Sequence, residues 1–146
     1  MCGFTGFGLL STGGHSDFAA EHRPRLERMN QTLVHRGPDD GGYCLKAPFG
    51  LGFRRLSIID LTAAGHQPIA TPDGRFVLSY NGEVYNFREL RAELVAAGHS
   101  FRSQSDTEVV LHAYREWGAA CVDRFNGMFA FAVWDRRSQR LFLARD

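Results

Sequence analysis

Cysteine is scarce in this chain. Cys2, Cys44 and Cys121 are the only three in 146 residues, an odd number with no CxxC spacing. That count disfavours a disulfide framework and a zinc ribbon, and it suits a reducing, cytoplasmic setting. An excess of charge of one sign is also missing. Seventeen Lys and Arg against 16 Asp and Glu leave a net charge of +1, so bulk electrostatics recruit neither nucleic acid nor a membrane surface. No apolar run approaches the ~20 residues of a bilayer span. Gly3 to Leu10 is apolar, but no basic region precedes it as in a signal peptide. Walker A, GxGxxG and HExxH patterns are absent, and His15, His22, His99 and His112 have no metal-ligand spacing; no metal site is expected. What remains is ordinary globular composition, 44% hydrophobic and 23% charged, in a length that suits one domain.

The most informative residues present are the first three, Met1-Cys2-Gly3. If Met1 is removed, Cys2 carries a thiol and a free α-amine on one residue. A terminal amine has a reference pKa of roughly 7.7–8.0, so near neutral pH part of it is an unprotonated base. Such an amine can activate the side chain of its own residue. The alternative is that Cys2 is a small hydrophobe with no chemistry.

Along the chain, Gly3 to Leu10 reads as a buried strand and Ser11 to Ser16 as a loop. Pro24 is expected to open a helix whose apolar stripe is Leu26, Met29 and Leu33. His35 to Gly42 is a Gly- and Pro-rich loop. Tyr43 to Lys46 and Gly50 to Asp60 read as strands, with Leu56 to Ile59 apolar enough to be buried. Leu61 to Gly74 reads as irregular. Arg75 to Tyr80 reads as a strand ending in an Asn81-Gly82-Glu83 turn. Asn86 is the expected N-cap of a helix carrying Phe87, Leu90 and Leu94 and closed by Gly98. A short strand at Phe101-Arg102 precedes a helix bearing Val110, Tyr114 and Trp117 as core residues. Met128 to Trp134 and Arg140 to Ala144 read as a final pair of strands. The order favours an α+β fold, mostly antiparallel sheets with helices outside.

Seven motifs occur in a fixed order: Met1-Cys-Gly3, His35-Arg-Gly-Pro-Asp39, Arg55-Leu-Ser-Ile-Ile-Asp60, Gly65-His-Gln-Pro68, Asn81-Gly-Glu-Val-Tyr-Asn86, Ser105-Asp-Thr-Glu108 and Gly127-Met-Phe-Ala-Phe131. Together, and over the whole chain, the sequence resembles the N-terminal glutaminase domain of the class II glutamine amidotransferases, of the glutamine-hydrolysing asparagine synthetase type. The resemblance implies an N-terminal-nucleophile hydrolase fold, a four-layer αββα sandwich of two stacked antiparallel sheets. It implies hydrolysis of L-glutamine to glutamate and ammonia, with the ammonia passed to a C-terminal synthetase domain that amidates the carboxylate of aspartate. The family pattern continues beyond Asp146, so residues 1–146 are expected to be an N-terminal piece of a two-domain enzyme. No cofactor is expected in this domain, ATP and Mg²⁺ belonging to the C-terminal one. A homodimer is one assembly open to it.

By the same resemblance, Cys2 is the nucleophile, and the Asn81 side-chain amide and Gly82 N–H stabilise the oxyanion. Alone, the Asn81-Gly82 dipeptide reads first as a hairpin turn, its commonest use; behind the strand at 75–80 and ahead of Glu83-Val-Tyr-Asn86 it reads as the oxyanion site. Arg55 is matched to the substrate α-carboxylate, which suits a bidentate guanidinium; strand alternation puts its neighbour Arg54 on the opposite face. Asp106 is matched to the α-ammonium, with helix N-capping as its other reading. Glu83 is expected near the same amino end, and main-chain groups at Leu56, Ile58 and Ile59 are expected to touch substrate. The His35–Asp39 loop reads as pocket wall and edge, and His66 as structural. Two other functions stay open: an amidotransferase serving a different acceptor, and a silent docking module. The silent module is the less economical, because Cys2, Arg55, Asn81, Gly82 and Asp106 are all present.

Overall fold

The computed structural model describes residues 2–9, 17–56 and 65–146. In chain order these form β1 (Gly3–Gly8), α1 (Phe18–Gln31), β2 (Asp40–Lys46), β3 (Phe49–Arg55), β4 (Ile69–Ala70), β5 (Phe76–Val84), α2 (Phe87–Ala96), α3 (Asp106–Trp117), β6 (Gly127–Asp135) and β7 (Arg140–Arg145), with a 3-10 segment, Gly118–Arg124, between α3 and β6. The strands make two sheets, β1-β3-β2 and β4-β5-β6-β7, and every pairing is antiparallel.

Strand alternation sorts the apolar residues into layers. On β5 and β6, Phe76, Leu78, Tyr80, Phe129, Phe131 and Val133 face one way and join Leu90 and Leu94 of α2 and Val109, Val110 and Ala113 of α3 in the larger core. The intervening Val77, Ala132 and Trp134 face the other way and meet Leu51 of β3 in a smaller inter-sheet core, flanked by Phe4 and Phe49. The outer face of the three-stranded sheet is covered by α1, with Leu26 fully buried and Asn30 Nδ2 donating to the Phe53 carbonyl at 3.1 Å. The layer order is therefore α1, three strands, four strands, α2 with α3. This is the expected αββα sandwich.

Local expectations hold in part. Helix α1 starts at Phe18 and not at Pro24, because Asp17 caps it: Asp17 Oδ1 accepts the Ala20 N–H at 2.9 Å. Pro24 then lies inside the helix, and Leu33 falls in the turn beyond it. β2 begins at Asp40, three residues before the expected start. β3 ends at Arg55; the expected burial of residues 57–59, the loop at 11–16 and the chain at 57–64 lie outside the described residues. The short β4 interrupts a stretch expected to be irregular. Asn86 occupies the N-cap of α2 without bonding its own helix. Its amide donates to the Arg124 carbonyl and accepts the Asn126 N–H, both at 3.0 Å, and so fixes the corner after β5. Phe101-Arg102 is not a strand, because the Arg102 N–H is taken by the Glu108 carboxylate at 2.9 Å. Among the described residues no helix is long and apolar enough to cross a membrane.

Candidate active site

The antiparallel register puts Gly3 opposite Arg54, so the residue before β1 reaches the residues that end β3. The Leu56 N–H donates to Cys2 Sγ at 3.4 Å, and Sγ stands 3.7 Å from the Leu56 carbonyl oxygen. The Cys2 carbonyl accepts from Arg36 Nε at 3.2 Å, and the Asp39 N–H donates to the Arg55 carbonyl at 3.1 Å. The His35–Asp39 loop thus pins the thiol-bearing residue and the end of β3 together.

Alternation at the end of β3 separates the two arginines as expected. Arg54 turns to α1 and donates to Gln31 Oε1 at 3.0 Å. Arg55 is only 8% exposed, and its guanidinium lies against Gly65, where any Cβ would overlap it. The first residue of the Gly65-His66-Gln67-Pro68 motif is glycine to seat that arginine. His66 Nδ1 meets Asp40 Oδ2 at 2.8 Å. Burial alone would raise the Asp40 carboxyl, but the His66 bond, the Gly41 N–H and the His66 and Arg55 charges carry it below its ordinary value.

The Asn81-Gly82-Glu83 segment is not a turn. β5 runs through it to Val84, with Asn81 opposite Ala130 and Gly82 opposite Phe129. Phe129 sends its N–H to Asp146 Oδ1 and takes the Asp146 N–H on its carbonyl, so its main-chain groups face away from β5. Gly82 and Phe129 are therefore a close, non-hydrogen-bonded pair. A Cβ on Gly82 would run into the Met128 carbonyl and the Phe129 Cα, which makes glycine obligatory there.

By the same alternation, the N–H groups of Leu78, Tyr80, Gly82 and Val84 all point to the outer edge of β5. β4 covers Leu78. Beyond β4, side chains take over. The Gln67 amide donates Nε2 to the Tyr80 carbonyl at 3.1 Å and accepts the Tyr80 N–H on Oε1 at 2.7 Å, doing for one residue what a neighbouring strand would do. Asp106 Oδ2 accepts the Val84 N–H at 3.0 Å. Gly82 lies between these two side-chain closures, its N–H directed at the open edge.

Asp106 is the first residue of α3, not its cap; Ser105 holds that position. The Asp106 carboxylate is directed to β5 instead, and Oδ2 also accepts the Tyr80 hydroxyl at 2.6 Å. Burial, reinforced by the Asp106 charge, pushes the Tyr80 phenol far above its ordinary value. Glu108, the last residue of the Ser105-Asp-Thr-Glu108 motif, is buried and gathers the Ser103 N–H, the Ser103 hydroxyl and the Arg102 N–H, which shapes the loop leading into α3.

These pieces enclose one cavity of about 490 Å³, lined by Cys2, Arg55 and Leu56 from the three-stranded side, and by Asn81, Gly82, Glu83 and Asp106 from the four-stranded side. That volume is usual for a small-molecule site. Of the nine residues singled out from the sequence, seven line it; Ile58 and Ile59 lie outside the described residues. A glutamine amidotransferase domain model matches residues 1–146. The chain belongs to the glutamine amidotransferase domain family.

This glutamine amidotransferase domain is 42% identical over 146 residues to asparagine synthetase [glutamine-hydrolyzing] 1 of Bacillus subtilis, covering all of this chain and 22% of that protein. It is 41% identical over 139 residues to the asparagine synthetase [glutamine-hydrolyzing] of Asparagus officinalis, covering 95% of this chain and 23% of that one. The chain thus spans under a quarter of these relatives. Among solved structures it resembles glutamine phosphoribosylpyrophosphate amidotransferase from B. subtilis, with a TM-score of 0.56 at 22% identity over 70% of this chain and 24% of that one. At that identity the likeness speaks to the fold alone, the sandwich of two antiparallel sheets between helices.

Sequence reasoning missed Gln67 and Tyr80. Gln67 read as one letter of a loop motif and Tyr80 as the last residue of a strand; the only signal was their place beside Arg55's seat and Asn81. It also missed that His99 and His112 meet, Nδ1 to Nδ1 at 3.1 Å, with His99 Nε2 at 2.8 Å from Glu116. Burial, and then the His99 charge, lower the His112 pKa. Among the described residues no group of three or more His, Cys, Asp or Glu is placed to hold a metal.

Proposed function

We propose that this chain is the glutaminase unit of a glutamine-dependent amidotransferase, with Cys2 as the nucleophile. The observation that carries the reading is convergence. Cys2, the buried Arg55, the open Gly82 edge and Asp106 come from four separate segments and line one cavity.

Glutamine enters with its α-carboxylate on Arg55, a bidentate match, and its α-ammonium on Asp106, with Glu83 nearby. The main chain at Leu56, which also lines the cavity, adds a further contact. Cys2 Sγ forms a bond to the side-chain amide carbon, and the thiol proton passes, through a water, to the α-amine freed by removal of Met1. The carbonyl oxygen becomes an oxyanion held by the Asn81 side-chain N–H and the Gly82 N–H, donors each worth about 10²–10³ in rate. The C–N bond then breaks as the amine returns its proton to the leaving nitrogen, giving ammonia and a γ-glutamyl thioester. Water attacks the thioester, the C–S bond breaks, and glutamate leaves with the thiol restored.

In the whole protein, residues 1–146 act as the N-terminal domain of a cytosolic enzyme. The ammonia passes to a C-terminal synthetase domain that uses ATP and Mg²⁺ to amidate aspartate. The test is made on the whole protein. Wild type releases glutamate and ammonia from glutamine, and forms asparagine when aspartate and ATP are added. Mass spectrometry finds Cys2 at the N-terminus. Glutaminase activity in protein that retains Met1 would rule out the amine as base, and glutamine hydrolysis without asparagine would point to another acceptor.

A further inference from the structure

The two oxygens of Asp106 are not equivalent. Oδ2 receives both the Tyr80 hydroxyl at 2.6 Å and the Val84 N–H at 3.0 Å. Two donors on one oxygen fix the plane of the carboxylate and leave Oδ1 as the oxygen for a cation in the cavity that Asp106 lines. The Val84 donor is main chain and comes with the fold. The Tyr80 donor is a choice of side chain, since a phenylalanine would fill the same place in the core. Tyr80 is 2% exposed, so its hydroxyl is shielded from water, and its distance to Asp106 is that of a short charge-assisted bond.

We propose that Tyr80 is a positioning residue for substrate recognition: its hydroxyl holds the Asp106 carboxylate in the orientation that binds the α-ammonium, and so selects a free amino acid over an N-acylated one. Its role rests on the glutaminase reading of the site. Tyr80 lines the same cavity, with its hydroxyl committed to Asp106 Oδ2. It joins the two substrate-facing elements, since it precedes the oxyanion residue Asn81 on β5 and holds the ammonium-binding residue on α3.

The test is Tyr80→Phe in the whole protein. The glutamine KM is expected to rise about tenfold, as suits loss of a hydrogen bond to a charged group, with kcat within about twofold. Inactivation by a diazoketone analogue of glutamine, which carries the α-ammonium, slows by the same factor. Alkylation of Cys2 by iodoacetamide, which has no ammonium, keeps its rate. In an Asp106→Ala background, Tyr80→Phe has no further effect on KM. An unchanged KM in the single variant overturns the proposal, as does a tenfold rise that persists without Asp106. A fall in kcat with slower iodoacetamide alkylation also overturns it, because the hydroxyl would then be supporting the site as a whole. Absence of glutaminase activity in wild type would count against the function, a result distinct from all of these.

Discussion

At the Phe76 end of β5 the outer edge is closed by main chain: Ile69 and Ala70 of β4 pair with Leu78 and Val77, and the Thr71 N–H donates to the Phe76 carbonyl at 3.0 Å. At the Val84 end the same edge is closed by side chains, the Gln67 amide on Tyr80 and the Asp106 carboxylate on Val84. A main-chain closure leaves no gaps, because a strand supplies a partner at every second residue. Side-chain closures can be spaced, and here the spacing falls around Gly82. The strand is continuous through both ends, yet only one end presents a main-chain N–H to a cavity. Ending β4 early and finishing its work with two side chains is how this sheet keeps a rigid strand and an open donor together.

The comparison breaks most sharply at the groups that face the gap. Cys2→Ala is expected to reduce glutaminase activity in the whole protein to background. Asn81→Ala should lower kcat by about 10²–10³ and leave KM near wild type, whereas Arg55→Ala should raise KM far more than it lowers kcat. The reverse pattern for Asn81 and Arg55 would reassign both. A diazoketone analogue of glutamine should label Cys2 and neither internal cysteine. Cys121 is fully buried and its thiol is pushed up to about 12 by that burial, and burial also raises Cys44. Adduct on either internal residue, mapped by peptide mass spectrometry, would count against the pocket.

A smaller effect tests the side-chain closure itself. Gln67→Met keeps the volume but removes both amide bonds to Tyr80, leaving a buried N–H and carbonyl without partners. The strand next to Asn81 should loosen, with kcat down about tenfold from misplaced donors and thermal stability reduced. If kcat is unchanged while stability falls, Gln67 serves the fold alone, and the two ends of β5 differ less than their hydrogen bonding suggests.

The sequence made the layers legible because alternation on β5 and β6 and the stripes on α2 and α3 are local patterns. The motif set likewise made the cavity legible: Arg54 and Arg55 part company at consecutive positions for the reason alternation supplies. The misreadings have non-local causes. Asn81-Gly82 looks like a hairpin until β6 arrives, when Met128 and Phe129 press so close that only glycine fits. Pro24 marks a helix start only if nothing upstream caps, and Asp17 does. Asn86 has the right place for a cap, but residues 124–126, far along the chain, claim its amide. Asp106 is at a helix start by sequence and bonded to another element by structure.

The smallest effect on activity should come from the other end of β5, where Arg75 clasps Asp135 of β6, Nε to Oδ1 at 3.2 Å and Nη2 to Oδ2 at 2.9 Å. The Arg75 bonds, aided by the Arg137 and Ser138 N–H groups, outweigh burial and hold the Asp135 carboxyl well below the usual range. A carboxylate whose folded pKa is depressed stabilises the fold fully above its unfolded pKa of about 3.9, and that contribution is lost as pH falls through the folded value. Asp135→Asn should therefore lower the melting temperature by about 2–4 °C at neutral pH. The difference from wild type should shrink below about pH 4, while kcat and KM for glutamine stay at wild-type values. Loss of glutaminase activity in Asp135→Asn at a temperature where it remains folded would mean that the pinned end of β5 sets the geometry of the open one, and that the division between them is not real.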